Sequence, residues 1–305
     1  MSNEVSVATL RQYGGNGVAN AAQRKRKLAV TSEGRRPGWV SYTYLTIALL
    51  LVIFPLYYAF SIASQPTPDT QYGPQALKFG SGLFTNLSNA FEELGYWHAL
   101  GGTFMVSAVC SVTTVLFATL AGYSFSKLSF RGRKGLLLFV VATMAIPTQL
   151  AVVPLFVLMN KLHLFGSLWA VVIPGIVTAF GVFWMTQYLE GALPYELIEA
   201  ARMDGASMIR TFWNVAIPAA RPAMAMLFLF TFVAQWTNYF WPTIILGPNK
   251  GNMLTTAAAA LKGAHFTDYT LIMSGVILTA APLIILFFFM GRQLVSGIMA
   301  GAVKG

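Results

Sequence analysis

The chain has 305 residues, of which 56% are hydrophobic and only 10% charged, with a formal net charge of +10. Several uncharged runs exceed the roughly 18 residues that mark a bilayer-spanning helix, so the composition is that of an integral membrane protein. The basic residues sit in short loops and terminal segments, a topology pattern that argues against nucleic acid as a partner, and the single Cys110 excludes a disulfide framework and a thiolate metal cluster.

Residues 1–38 are polar and carry the run Arg24-Lys25-Arg26-Lys27. They predict a disordered, basic cytoplasmic tail. Beside a membrane such a tail meets anionic lipid, at about 1 kcal/mol per basic residue near the surface. A secretory signal is the competing reading, but the polar lead is too long and the next apolar run exceeds the usual ~7–15 residues.

From residue 39 onward six long stretches hold no Asp, Glu, Lys or Arg: residues 39–64, 99–126, 135–160, 164–189, 222–247 and 269–290. At about 1.5 Å per residue each can cross a core of about 30 Å, and only a helix satisfies its own backbone in lipid. The prediction is an all-α domain over residues 39–305 with six transmembrane helices, kinked at residues such as Pro147, Pro154 and Pro174. Sixteen of the twenty Lys and Arg fall in the tail, the second-to-third loop, the fourth-to-fifth loop and the C-terminal segment, whereas Lys78, Lys161, Lys250 and Lys262 fall in the opposite set. The two sets alternate as six spans require, and the positive-inside rule places both termini in the cytoplasm.

The spans lack the Asp, Glu, His or Arg that an ion-coupled carrier places at membrane depth. His98, His163 and His265 lie at span ends or in outer loops and read as solvated. There is no G-x-x-x-x-G-K-[ST] phosphate loop, no His–Glu–His metal spacing and no G-x-S-x-G elbow. The chain therefore reads as neither an ATPase nor an enzyme of another kind, with no metal site and no cofactor of its own.

Charge gathers instead in residues 190–218, "EGALPYELIEAARMDGASMIRTFWNVAIP". Pro194 fits the first position of a helix, Gly205 its C-terminal cap, and Ser207 the N-cap of a second helix in which Ile209, Phe212, Trp213 and Ala216 share a face, ending at Pro218. Such a unit is amphipathic and cannot span. Ala200, Ala201 and Gly205 add little bulk, so a groove wall can come close. The residues alone leave open whether this face docks on another protein or is a plain surface hairpin.

Further on, Trp236, Asn238, Tyr239 and Trp241 cluster near the outer half of the fifth span. Aromatic faces and neutral hydrogen-bonding groups suit a sugar path, and they equally suit an interfacial belt. The outer loop at residues 247–263 holds Asn249, Lys250, Asn252 and Thr255, polar enough to compete for sugar hydroxyls or simply to be solvated. The G-x-x-x-G in "GIMAG", residues 297–301, is a small-residue pattern common by chance.

The spacing Glu199-Ala200-Ala201, three residues, Gly205, nine residues, Val215, one residue, Ile217-Pro218 resembles the EAA signature of ABC importer permeases, with Val215 and Ile217 where isoleucine and leucine are usual. "AGYSFSKLSFRGRKG", "FVAQWTNYFWP" and "GAVKG" are similar to the carbohydrate branch of that family, the MalG-like permeases. The likeness covers nearly everything after the tail. It departs at "GGTF", residues 101–104, where relatives usually carry Asn–Ser.

That resemblance implies a type I ABC importer permease fold, multi-pass in the bacterial cytoplasmic membrane, with a cytoplasmic coupling helix. It implies as partners a second, MalF-like permease, two ABC ATPase subunits holding ATP and Mg, an extracytoplasmic solute-binding protein and membrane lipid. Glu199, Ala200, Ala201, Arg202, Asp204 and Gly205 would form the ATPase-docking helix, with Glu199 oriented by an arginine of the ATPase or by Arg202. Gly301, Ala302, Val303, Lys304 and Gly305 would face the ATPase, and residues 247–263 the binding protein. The implied solute is a di- or oligosaccharide. Glycerol phosphate is the competing solute, and a stand-alone secondary carrier and a membrane scaffold are the rival classes. An anion would need Arg or Lys along its path, and the spans offer none.

Overall fold

The computed structural model describes residues 38–66, 77–262 and 267–302, with side chains described in all of these except 248–250 and 289–302. Residues 1–37 of the predicted tail, and Val303, Lys304 and Gly305, lie outside the described residues. Two units divide the chain, Met1–Tyr57 and Tyr58–Gly305. The described part of the first is most of one apolar helix, α1 (Trp39–Ala63), which carries Pro55 inside it.

Among the described residues the second unit is entirely helical. In chain order it contains α2 (Leu83–Glu93), α3 (Tyr96–Lys127), α4 (Arg133–Thr143), a 3-10 turn Thr148–Ala151, α5 (Val152–Lys161), α6 (Trp169–Val172) with the 3-10 turn Ile173–Gly175, and α7 (Ala179–Ala192). There follow α8 (Tyr195–Met203), α9 (Met208–Thr211), a π-helical turn Phe212–Ala216, α10 (Ile217–Trp236), α11 (Phe240–Ile245), the 3-10 stretch Gly247–Asn252, α12 (Leu254–Ala260) and α13 (Tyr269–Ala302).

The long α3 is the centre of this unit and packs along α7 and α10. Lipid tails are as apolar as leucine, so burial alone does little to join helices in a bilayer, and close backbone approach with good packing has to do it. Gly122 makes that approach possible: a Cβ added there would lie 2.7 Å from the Met185 Cβ of α7. The Thr114 hydroxyl lies 3.1 Å from the carbonyls of both Gly175 and Ile176, meeting the backbone acceptors freed where the fourth span is interrupted before α7. Thr178 then caps α7, its Oγ1 accepting from the Gly181 N–H at 3.0 Å.

Among the described residues five helices are long and apolar enough to cross a membrane, and a bent pair makes a sixth if it is counted as one broken span. The kink expected at Pro147 is a full break: α4 and the stretch from Thr148 to Lys161 meet at 89°. The cause is local. Pro147 has no N–H and disfavours helical backbone at Ile146. The chain responds by tightening the last turn, with Met144, Ala145 and Ile146 donating to the carbonyls three residues back at 3.1, 3.1 and 3.2 Å.

The fifth span is also displaced from its expected bounds. It runs from Met208 to Trp236, so Pro218 does not end a separate surface helix but lies inside a continuous one. The π-helical turn just before it explains this, because the missing proline donor falls where the hydrogen-bond register is already changing. After Trp236 the chain leaves the helix, and α11 is a separate short element.

Candidate functional site

The charged loop folds into the expected helix, turn and helix. Pro194 is the N-cap of α8 rather than its first helical residue, and its extended backbone separates α8 from α7. At the other end the Gly205 N–H donates to the Arg202 carbonyl and the Ala206 N–H to the Ala201 carbonyl, both at 2.9 Å, with Gly205 at φ +75°. This pair of bonds is a Schellman closure, and the left-handed residue in it costs glycine nothing. Ser207 caps the next helix, its Oγ accepting from the Arg210 N–H at 3.3 Å.

One side chain seats α8 in the protein. Ile198 is 2% exposed and joins the apolar cluster that holds Tyr123, Leu189, Leu193 and Phe212. Glu199, Ala200, Arg202, Met203, Asp204 and Gly205 are exposed and Ala201 half-buried. Met203 is 88% exposed, an apolar side chain among the charged Glu199, Arg202 and Asp204 that nothing among the described residues covers. Among the described residues no ion pair joins Glu199 to Arg202, so that suggested partner for Glu199 is withdrawn. The expected common face of the second helix is split: Phe212 and Ala216 are buried in the cluster, whereas Ile209 and Trp213 remain exposed.

At the other end of α3, residues 247–262 form a docked element rather than a free loop. Met253 and Leu254 are fully buried, and the Leu254 N–H donates to the Thr103 hydroxyl of α3 at 2.8 Å. Asn252 Oδ1 lies 2.9 Å from His98 Nε2, and Thr255 Oγ1 donates to the Asn238 carbonyl at 2.9 Å. Two of the four polar groups singled out in the sequence are therefore engaged within the chain, and the side chains of Asn249 and Lys250 lie outside the described ones.

The four residues singled out for a sugar path are not brought to one surface. Trp241 is buried, and its indole N–H donates to the Ala170 carbonyl at 3.0 Å. Trp236 donates to the Thr279 carbonyl at 3.3 Å, stacks on Phe232 and lines an apolar groove of about 470 Å³ with Trp97, Gly101 and Phe104. Asn238 is half-buried, its amide 3.5 Å from Gln235 Oε1, and Tyr239 is 49% exposed. Of this set Tyr239 alone presents an open aromatic face. Gly301 and Ala302 close the last turn of α13.

Sequence reasoning passed over Lys127 and Tyr195. The Tyr195 hydroxyl donates to the Ser126 carbonyl at 3.1 Å, and Lys127, at the end of α3, lies beneath the same ring. The available signal was a lysine closing an apolar run, together with a tyrosine directly after Pro194. Among the described residues no group of His, Cys, Asp and Glu is placed to hold a metal.

Comparison with known proteins agrees with this architecture. Residues 114–299 match the family model described as binding-protein-dependent transport system inner membrane component. The chain is 31% identical over 270 residues to an arabinooligosaccharides transport system permease protein of Halalkalibacterium halodurans, covering 88% of this chain and 96% of that one. It is 31% identical over 277 residues to a lactose transport system permease protein of Rhizobium radiobacter, covering 91% and 100%. A sn-glycerol-3-phosphate transport system permease protein of Yersinia pestis is 29% identical over 273 residues, covering 84% and 93%. The fold matches a chain of a bacterial ABC transporter that imports the acidic polysaccharide alginate, with a TM-score of 0.68 at 24% identity over 83% of this chain and 94% of that one.

The chain is thus a multi-pass subunit of the cytoplasmic membrane that works with a binding protein, a partner permease and an ATPase, and it is not an enzyme. With the family model matching more than half its length and close relatives along nearly all of it, the chain belongs to the family of binding-protein-dependent transport system inner membrane components.

Proposed function

We propose that this chain is one of two permease subunits in an ATP-driven importer of a neutral di- or oligosaccharide, and that α8 is the helix through which the ATPase acts on it. One observation carries the reading. The helix α8 is short, closed at its C-terminal end by the Gly205 turn and anchored by Ile198, and it exposes most of the stretch from Glu199 to Gly205, with Met203 bare and its charges without an ion-pair partner among the described residues. A rigid lever with an uncovered mixed face suits a rigid-body docking partner. Glu199 then meets an arginine of the ATPase, and the small Ala200 and Gly205 let the groove wall approach. The distribution of basic residues supports placing α8 and both termini in the cytoplasm.

The broken third span supports a solute path on this chain. Arg133 to Thr143 is 11 residues, or about 16 Å of helix, which puts the break near the middle of a core about 30 Å thick. Ala145, Ile146, Pro147, Thr148 and Gln149 are exposed there. Irregular backbone at that depth is tolerated only beside protein or a water-filled cavity, so the break faces the path, with Thr148 and Gln149 as neutral hydrogen-bonding groups. Tyr239 is the aromatic candidate nearer the outer end. Lys250 and Asn249 stay proposed contacts for the binding protein, and residues 301–305 for the ATPase.

A neutral sugar is favoured over glycerol phosphate because the residues exposed at the break of the third span, Ala145 to Gln149, include no Arg or Lys to balance an anion, and the basic residues inside the fifth span, Arg210 and Arg221, lie in the half nearer α8. Two relatives, each 31% identical to this chain, are named for arabino-oligosaccharides and lactose, which points the same way. The test is uptake by the reconstituted complex of labelled lactose, arabinotriose and glycerol 3-phosphate. Uptake of a sugar that stops without ATP is the expected result. Saturable uptake of glycerol 3-phosphate alone would overturn the solute class, and uptake of any of the three without the ATPase subunits would overturn the importer reading.

A further inference from the structure

Lys127 is the last residue of α3 and is only 4% exposed. A buried ammonium is costly unless it is paired, and among the described residues no carboxylate lies within ion-pair distance of it. Its Nζ instead donates to the backbone carbonyl of Glu190 at 3.1 Å and sits 4.8 Å from the centroid of the Tyr195 ring. That ring is itself held by its hydroxyl, which donates to the Ser126 carbonyl at 3.1 Å.

The countercharge comes from the backbone. Glu190 is in the last turn of α7 and Ser126 in the last turn of α3, and the carbonyls ending a helix carry the negative pole of its dipole, about half an elementary charge. The aromatic face adds a further attraction at this distance. One cation therefore sits where the inner ends of α3 and α7 meet the first residue of α8. Contacts through Ile198 are apolar and can slide, whereas a charge-assisted hydrogen bond and a fixed hydroxyl bond resist rotation.

We propose that Lys127 and Tyr195 form a joint that passes the displacement of α8 directly to α3 and α7, beyond what the connecting residues Leu193 and Pro194 transmit. Lys127 is here a positioning residue: it touches neither solute nor nucleotide. Since α3 also packs along α10, a push on α8 reaches three spans together. This inference rests on α8 being the ATPase-facing lever.

The experiment uses the complete importer in proteoliposomes and reads ATP hydrolysis per assembled complex with and without the solute-binding protein, giving a stimulation ratio. Lys127→Met keeps the apolar stem and removes the charge. It is expected to lower the ratio roughly two- to thirtyfold, the range typical of residues on a coupling route. Lys127→Arg keeps the charge and should recover most of the ratio. Tyr195→Phe keeps the ring and loses the Ser126 bond, so it should fall between them.

Parental ratios in both Lys127→Met and Tyr195→Phe, with Gly205→Val still uncoupled, overturn the joint and leave the lever standing. A parental ratio in Gly205→Val as well overturns the lever itself. Should Lys127→Met not assemble, Tyr195→Phe and Lys127→Arg decide: parental coupling in Tyr195→Phe, or no recovery in an assembled Lys127→Arg complex, overturns the joint.

Discussion

The Leu254 N–H donates to the Thr103 hydroxyl at 2.8 Å, across 151 residues of sequence, with both groups buried. One residue earlier on α3, Gly102 leaves room for the loop itself: a Cβ there would stand 1.9 Å from the Asn252 carbonyl oxygen. Together these residues account for Gly102 and Thr103 within the "GGTF" of α3. The glycine lets the outer loop lie against the helix and the threonine satisfies the amide that this buries.

Thr103→Val should therefore strand the Leu254 N–H without changing the volume at that position. A buried donor left unpaired costs about 1–3 kcal/mol. The expected outcome is a lower unfolding temperature of the purified complex and faster protease cleavage within residues 247–260. Gly102→Ala should have the same effect through displacement of the loop, and an unchanged cleavage rate in both would contradict the docking.

Gly205 separates backbone strain from crowding, because an added Cβ would meet nothing within 4 Å although φ is +75°. Left-handed backbone costs an ordinary residue roughly 1–2 kcal/mol, and asparagine, which visits it routinely, less. Gly205→Val is thus expected to loosen the turn and uncouple ATP hydrolysis from uptake, while Gly205→Asn keeps most coupling. Equal behaviour of the two variants would show that the turn conformation does not matter.

The indole of Trp241 is committed to Ala170, whereas Tyr239 is open. Trp241→Phe should destabilise the complex by about 1 kcal/mol, as expected for a lost hydrogen bond, and leave the half-saturating solute concentration unchanged. Tyr239→Ala should do the reverse. Uptake kinetics and thermal unfolding measured on both variants distinguish a structural tryptophan from a solute-facing tyrosine.

Cys110 is the sole cysteine and is buried, so the chain offers a quiet background for thiol labelling. In a Cys110→Ser background, Thr148→Cys and Gln149→Cys are expected to react with a charged, membrane-impermeant thiol reagent and to be protected by transported sugar. Cysteines at Leu138 or Phe139, exposed on α4 and facing lipid on this reading, should not react. Labelling of residues 138–139 but not of 148–149 would remove the break from the solute path.

Much of the charged loop was legible in the sequence because its signals are local. A left-handed turn demands glycine at Gly205, and an N-cap demands an oxygen within reach of a nearby N–H at Ser207, so both roles can be read from a few neighbouring residues. Proline was less transparent. Pro147 breaks its span and Pro218 does not, since the outcome depends on whether the surrounding turn can shift register, and a π-helical turn is not written in any single residue. The aromatic cluster misled for a similar reason: Trp236 and Trp241 lie five residues apart, and only their distant acceptors, Thr279 and Ala170, show that both indoles are already engaged.

Uncharged runs and basic loops were enough to establish a multi-pass membrane chain and roughly where most of its spans lie, because lipid and water sort residues by composition and short-range pattern alone; the spacing around Glu199 added the resemblance to importer permeases. Which side chains remain free to act was decided by the tertiary structure. Hydrogen bonds between residues far apart in sequence, such as Lys127 to Glu190 and Leu254 to Thr103, use up polar groups that look available when the chain is read in one dimension. A buried polar group has to find a partner wherever the fold brings one, and that partner is chosen by packing rather than by sequence proximity.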